Sequence, residues 1–165
     1  MSNFITENYI KDNSPVTDNV DPKDLSSHIT AAEHNFLRPI LGSQFYDELV
    51  AKFSNQTLSP DEILLMERYI QPAVLWRTIA LALPWIQYNL RNKGLMVNTD
   101  DAAAAADFAQ VKFMLNEAGG RANINEDLLV KFLTKNSNEF PEYKDQDGLT
   151  PPEGEEPNSS NLLFY

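Results

Sequence analysis

Apolar residues return at helical spacing along most of the chain. Leu25, Ile29, Ala32 and Phe36 lie four, three and four residues apart, which is one face of a helix. Asp21 stands as its N-cap and Pro22 as its first helical residue, where a missing N–H costs nothing. "RPILGS" ends that helix, and Ser43 is expected to cap a shorter one burying Phe45, Leu49 and Phe53. "SPDE" is a stronger start: Ser59 as cap, then Pro60, with Glu62 completing a capping box. The helix it opens runs through Met66 and Tyr69 to Pro72, which is expected to kink or break it.

After Pro72, "AVLWRTIALALPWIQYNL" is apolar nearly all round, the signature of a central helix covered by others. Arg77 and Pro84 interrupt its apolar run, which is too short and too broken to cross a bilayer. Gly94 is the expected C-terminal cap, and "LMVN" a short extended segment. Thr99, Asp100 and Asp101 then cap an Ala-rich helix with apolar positions at Phe108, Val111, Leu115, Ala118, Ala122, Leu129 and Phe132. Its phase holds across Gly119 and Gly120, so one long helix is expected, weakened by roughly 1 kcal/mol at each glycine relative to Ala.

The pattern predicts an all-α protein of about four to five helices around a central apolar helix. It divides into an irregular polar N-terminal arm (1–19), a helical domain (20–135) and an extended C-terminal tail (136–165). The tail holds seven acids, one lysine (Lys144) and Pro141, Pro151, Pro152 and Pro157, a composition that cannot build a core of its own. Yet it finishes on Leu162, Leu163, Phe164 and Tyr165. Solvated tails avoid such side chains, so these four are expected to fold back on their own domain or to enter another protein's pocket.

Charge and composition narrow the chemistry. A formal net charge of -11 argues against a grip on nucleic acid, which needs Lys and Arg in place of phosphate counterions. With no cysteine, disulfide and thiolate chemistry are excluded. The N-terminus has neither the basic nor the apolar region of a secretion signal. His28 and His34 lie on different helix faces and suit no shared metal. "YKDQDGLTPPEG" fails as a calcium loop, since Tyr143 and Gly154 fall where the first and last ligands belong. Asp18, Asp21 and Asp24 read as helix-start acids, and Trp76 and Trp85 as core. Arg77 alone, a charge in an apolar helix, requires a partner inside the domain or on a neighbouring subunit. No catalytic residue, cofactor or metal site is expected.

Read in order, "NFITENYIKDNSPVTDNVDPKDLSSHI", "FLRPILGSQFYDEL", "RYIQPAVLW", "NKGLMVN" and "FPEY" resemble a family of small virion proteins. These are the head–tail connector (adaptor or ring) proteins of tailed phages of Bacteroides-type hosts, including crAss-like phages. The likeness runs from about Phe4 to Tyr143; the order of the segments carries it, since no single one is diagnostic. The chain departs from the family pattern at Gly119-Gly120, where the family's long helix is unbroken, and in its tail after "FPEY".

The resemblance implies a non-catalytic structural protein at the head–tail interface of the virion, made in the host bacterial cytoplasm. It would form a ring of about twelve copies beneath the portal protein, extending the DNA channel and joining capsid to tail. Its partners would be the portal, neighbouring copies and a downstream tail or ring protein; DNA would pass without specific binding, and no membrane is involved. Within that frame Phe140, Pro141 and Tyr143 form one protein-binding anchor, and Leu162, Leu163, Phe164 and Tyr165 a second. The rival reading from another class is a standalone acidic interaction module, a phage regulator or nucleic-acid mimic binding a basic host protein.

Overall fold

The computed structural model describes residues 3–16, 22–91, 94–97 and 108–144. Among these the fold is all-α, with one short hairpin. The elements are α1 (Glu7–Asn13), α2 (22–41), α3 (Ser43–Asn55), α4 (60–87), β1 (Tyr88–Arg91), β2 (Gly94–Val97), α5 (Phe108–Lys135) and α6 (Pro141–Lys144). α4 is the centre: it packs against both α2 and α5 and contributes the buried residues Leu65, Met66, Ile70, Val74 and Ala82.

The first long helix ends within "RPILGS" as expected, at Leu41, and both it and the central helix run past a proline by the same device. In α2 a π turn occupies Glu33–Leu37, the Arg38 N–H donates to the Glu33 carbonyl, and Pro39 follows. In α4 a π turn occupies Met66–Ile70, the Gln71 N–H donates to the Met66 carbonyl, and Pro72 follows. A proline ring meets the carbonyl four residues back in an ordinary α-helix. One inserted residue widens the turn just before each proline and relieves that contact. Pro72 therefore neither breaks nor ends the central helix.

The inserted residue also shifts the phase. In α2 the buried positions run Leu25, Ile29 and Ala32, then Leu37 and Leu41. Phe36, expected on the core face, is only half-buried.

Helix ends follow local chemistry. At α4 the box is complete: the Glu62 N–H donates to Ser59 Oγ (3.2 Å), and the Ser59 N–H to Glu62 Oε2 (2.7 Å). Gly42, at φ 77°, turns the chain between α2 and α3 and is itself the N-cap position, so Ser43 begins α3 rather than capping it. α4 ends at Gln87, not at Gly94, and leads into an antiparallel hairpin in which Tyr88 faces Val97 and Arg91 faces Gly94. Leu95–Val97 of "LMVN" are thus extended as expected, and Asn98 lies outside the described residues. α5 passes through Gly119 and Gly120 without a break. The expected caps at Asp21 and at Thr99, Asp100 and Asp101 lie outside the described residues.

The domain is larger than 20–135 at both ends. Phe4, Ile5 and Ile10 are buried in the core, and Thr6 caps α1 by accepting from the Tyr9 N–H (3.2 Å). The arm's apolar residues show no visible period in a polar stretch, yet Phe4, Ile5 and Ile10 each find a place in the core and Tyr9 and Val16 pack against it.

At the other end Phe140 is 2% exposed, its ring 6.0 Å from both Phe45 and Phe132. Tyr143 is half-buried beside it, and burial raises its phenol above the ordinary value, opposed by a hydrogen bond with Thr134. Only Pro141 of this trio is exposed. The expectation that "FPEY" is an outward anchor is corrected: it closes the chain's own core.

Candidate docking surface

The seam between α4 and α5 is fastened by the residue that stood out in the sequence. Arg77 donates through Nε to Glu126 Oε1 (2.7 Å) and through Nη2 to Glu126 Oε2 (2.7 Å) and Asn123 Oδ1 (2.8 Å). Such a bidentate pair fixes geometry as well as charge. The guanidinium also lies 4.3 Å from the centre of the Phe36 ring. One side chain thus ties α2, α4 and α5 together, so Arg77 is an internal strut and not a contact to a neighbour.

Toward the far end of the same seam the packing opens. A cleft of about 330 Å³ lies between α4 and α5, floored by Trp76, Ile79, Leu83 and Ile86 and flanked by Phe113 and Met114. The Arg121 guanidinium sits 4.6 Å over the Trp76 ring and reaches Glu117 at 3.7 Å, marking the polar edge of an apolar opening. Among the described residues, Phe113 is 66% exposed and Ile124 60%, with Leu128, Met114 and Trp85 also open to solvent. Trp76 is half-buried and Trp85 exposed, so Trp76 packs against the core as the sequence suggested and Trp85 does not. Phe113, Ile124 and Leu128 project from one side of α5, where helical spacing of 11 and then four residues keeps them in line. Ile63 and Leu64 form a second exposed apolar pair at the start of α4.

This surface was not singled out from the sequence. The signal present was Phe113, which helical spacing puts opposite the Leu115, Ala118 and Ala122 face. The anchors that were singled out divide: Phe140 and Tyr143 are in or against the core, Pro141 is exposed, and Leu162, Leu163, Phe164 and Tyr165 lie outside the described residues.

A contrasting site lies under the N-terminal arm. Glu33 is 1% exposed, yet no Lys or Arg pairs with it among the described residues. Its carboxylate accepts from the Phe4 N–H at 2.7 Å and from the Tyr46 hydroxyl at 3.3 Å, with the Ile5 N–H a further donor. Burial pushes its pKa up to about 7, against the pull of those hydrogen bonds. Tyr46 is raised in turn, by burial first and then by the Glu33 charge. Elsewhere, Lys52 pairs with Glu48 (2.6 Å) and Glu62 (2.7 Å), which hold the ammonium in its charged form. Among the described residues no cluster of three or more His, Asp or Glu side chains is placed to hold a metal ion. No described helix is long and apolar enough to cross a membrane.

In comparisons with known proteins, DUF6712, described as a family of unknown function, matches residues 37–153. Neither the curated proteins nor the solved structures contain a match.

Proposed function

We propose that this chain, which belongs to the DUF6712 family, is a head–tail connector of a tailed phage: a structural ring subunit that sits beneath the portal and extends the DNA channel. The observation that carries the reading is the ordered series of segments from Phe4 to Tyr143 that resembles the connectors of phages of Bacteroides-type hosts. The apolar face of α5 supports it, because a subunit that assembles must leave large apolar side chains open for its neighbours. Phe113, Ile124 and Leu128 meet that description.

The acidity of the chain fits the role as well. A net charge of -11 around a channel repels the duplex, so DNA slides through rather than sticking. The segment after Lys144 carries five acids and then Leu162, Leu163, Phe164 and Tyr165, which act as a docking anchor on the portal or the next copy. Burying a Leu or Phe side chain contributes about 1.5–3 kcal/mol, while fixing each backbone residue costs roughly 1–2 kcal/mol. One such anchor binds weakly. A ring presenting many copies to a matching ring converts weak docking into durable assembly through effective concentration.

The test is the assembly mass of the protein mixed with the portal of its own phage, comparing the full chain with a version ending at Lys144. Ending at Lys144 keeps Phe140 and Tyr143, which the core requires. A large complex from the full chain alone assigns docking to residues 145–165. A complex from both moves the contact to the helical body, where Phe113→Ser and Ile124→Ser should then abolish it. No complex from either, at low salt, overturns the connector reading in favour of a monomeric acidic interaction module.

A further inference from the structure

The pocket around Glu33 is built for one occupant, the N-terminal arm, and it holds that occupant at both backbone atoms of a single residue. The Phe4 N–H donates to Glu33 Oε1, and the Phe4 carbonyl accepts from Gln71 Nε2 at 3.0 Å. The Phe4 ring stands edge-on to Tyr46 and Phe53, each 5.6 Å away. The arm is also what removes Glu33 from water, since Phe4 and Ile5 lie over the carboxylate and are themselves almost fully buried. A buried carboxylate without a cation is costly to ionise. Docking the arm and ionising Glu33 therefore oppose each other.

We propose that residues 3–16 form a latch whose closure is coupled to the uptake of one proton by Glu33. Closed, the latch keeps the carboxyl neutral beneath Phe4 and Ile5. When the proton leaves, the carboxylate gains hydration by letting the arm lift. The arm would then uncover Tyr46, Phe53 and Gln71, a ready-made seat for an aromatic segment.

The groups around Glu33 leave it as the proton-binding member. From α3, Tyr46 donates to it, and a phenol raised by burial stays protonated throughout the relevant range. Arg38 of α2 lies 5.6 Å from the Tyr46 ring centre and is paired with Asp47 of α3 at 3.1 Å. His34 sits next to Glu33 in α2, its ring 6.0 Å from that of Tyr46. α4 contributes the neutral amide of Gln71. On the arm, Tyr9 is raised by burial and then by the charge of Glu67.

The sign follows from linkage. The closed state holds the proton up to pH about 7, whereas an exposed carboxyl loses it near the ordinary 4.5. Closure is therefore favoured at low pH, weakens as pH rises between these values by up to roughly tenfold per unit, and levels off above 7.

Hydrogen exchange of the Phe4 and Ile5 amides, corrected for intrinsic rates and read from pH 4.5 to 8, tests this on the full chain. Wild type should lose protection across that window, by as much as a few hundred-fold, while the Ile70 amide at the centre of α4 stays protected. Glu33→Gln should remove the response, because its amide cannot ionise. Tyr46→Phe, which deletes a donor to the carboxylate, should move the midpoint upward. A response that persists in Glu33→Gln and vanishes in His34→Asn would overturn the proposal, as would flat protection in wild type. If Glu33→Gln fails to fold, the direction of the Tyr46→Phe shift decides alone.

Discussion

Arg77 and Glu33 are both ionisable groups in the interior, and the fold treats them in opposite ways. Arg77 receives a full counter-charge in fork-to-fork geometry, with Asn123 taking up a further N–H. Glu33 receives only neutral donors: two backbone amides and a phenol. The first arrangement answers charge with charge. The second sits near the point of neutrality. The difference lies in reach. Arg77 and Glu126 face each other across two long helices in continuous contact, whereas Glu33 faces a short arm that offers it backbone N–H groups.

The largest effect should come from removing the counter-charge. Glu126→Ala leaves the Arg77 guanidinium at 15% exposure with no carboxylate, and breaking a pair of this kind costs roughly 3 kcal/mol. Urea denaturation should show that loss. The double replacement Arg77→Met with Glu126→Leu should recover most of it, because apolar residues of similar size are tolerated where a lone charge is not. A double mutant no more stable than Glu126→Ala would mean that the Phe36 stacking and the Asn123 bond, not the ion pair, hold the seam.

The two groups differ just as sharply in how visible they are in the sequence. Arg77 announces itself as the one charge in an apolar run, and the sequence offers the right pair of alternatives without choosing between them. The choice needed Glu126, 49 residues away. Glu33 looks like an ordinary acid at the edge of the core face, one residue past Ala32 and four past Ile29. Its burial depends on the π turn that begins at Glu33 and on an arm 29 residues earlier. Neither has a local pattern.

Helix class, the capping box at Ser59 and the continuity of α5 through its glycines were all legible, because caps and 3.6-residue periods are local. The arm's burial and the inward turn of Phe140 were not. Both rest on side chains that find places made by residues distant in sequence. The candidate docking surface was hidden for the converse reason. Exposure is the lack of a neighbour, and a sequence does not show which apolar position lacks one.

The second prediction separates the two groups by pH. A carboxyl raised to about 7 in the folded state and ordinary when unfolded holds its proton more tightly in the folded chain. Its contribution is therefore greatest in acid, declines as pH rises from about 4.5 to 7, and is constant above that; the span amounts to roughly 3 kcal/mol. Other groups also shape the whole curve, so the quantity to measure is the difference between wild type and Glu33→Gln. That difference should change across this window in favour of the Gln variant and then stay level. The same subtraction for Glu126→Ala should show no comparable step there, since guanidinium groups do not titrate in this window. A matching step in both would place the pH sensitivity in the helix seam rather than under the arm.

Thr78 supplies the smallest effect and the cleanest contrast. It adjoins Arg77 in α4 and is fully buried, but its hydroxyl has no hydrogen-bond partner among the described residues. Arg77 is charged and satisfied, Glu33 is satisfied only by neutral donors, and Thr78 is neutral and unsatisfied. An unmet buried hydroxyl carries its desolvation cost with nothing in return, which is the case where deleting a polar group stabilises. Thr78→Val keeps the branched shape and removes the oxygen, so it should raise the unfolding free energy by about 1 kcal/mol. It should do so equally at pH 5 and pH 8, because no proton is involved. A loss of stability instead would show that the hydroxyl has a partner in solution, with a buried water as the natural donor or acceptor.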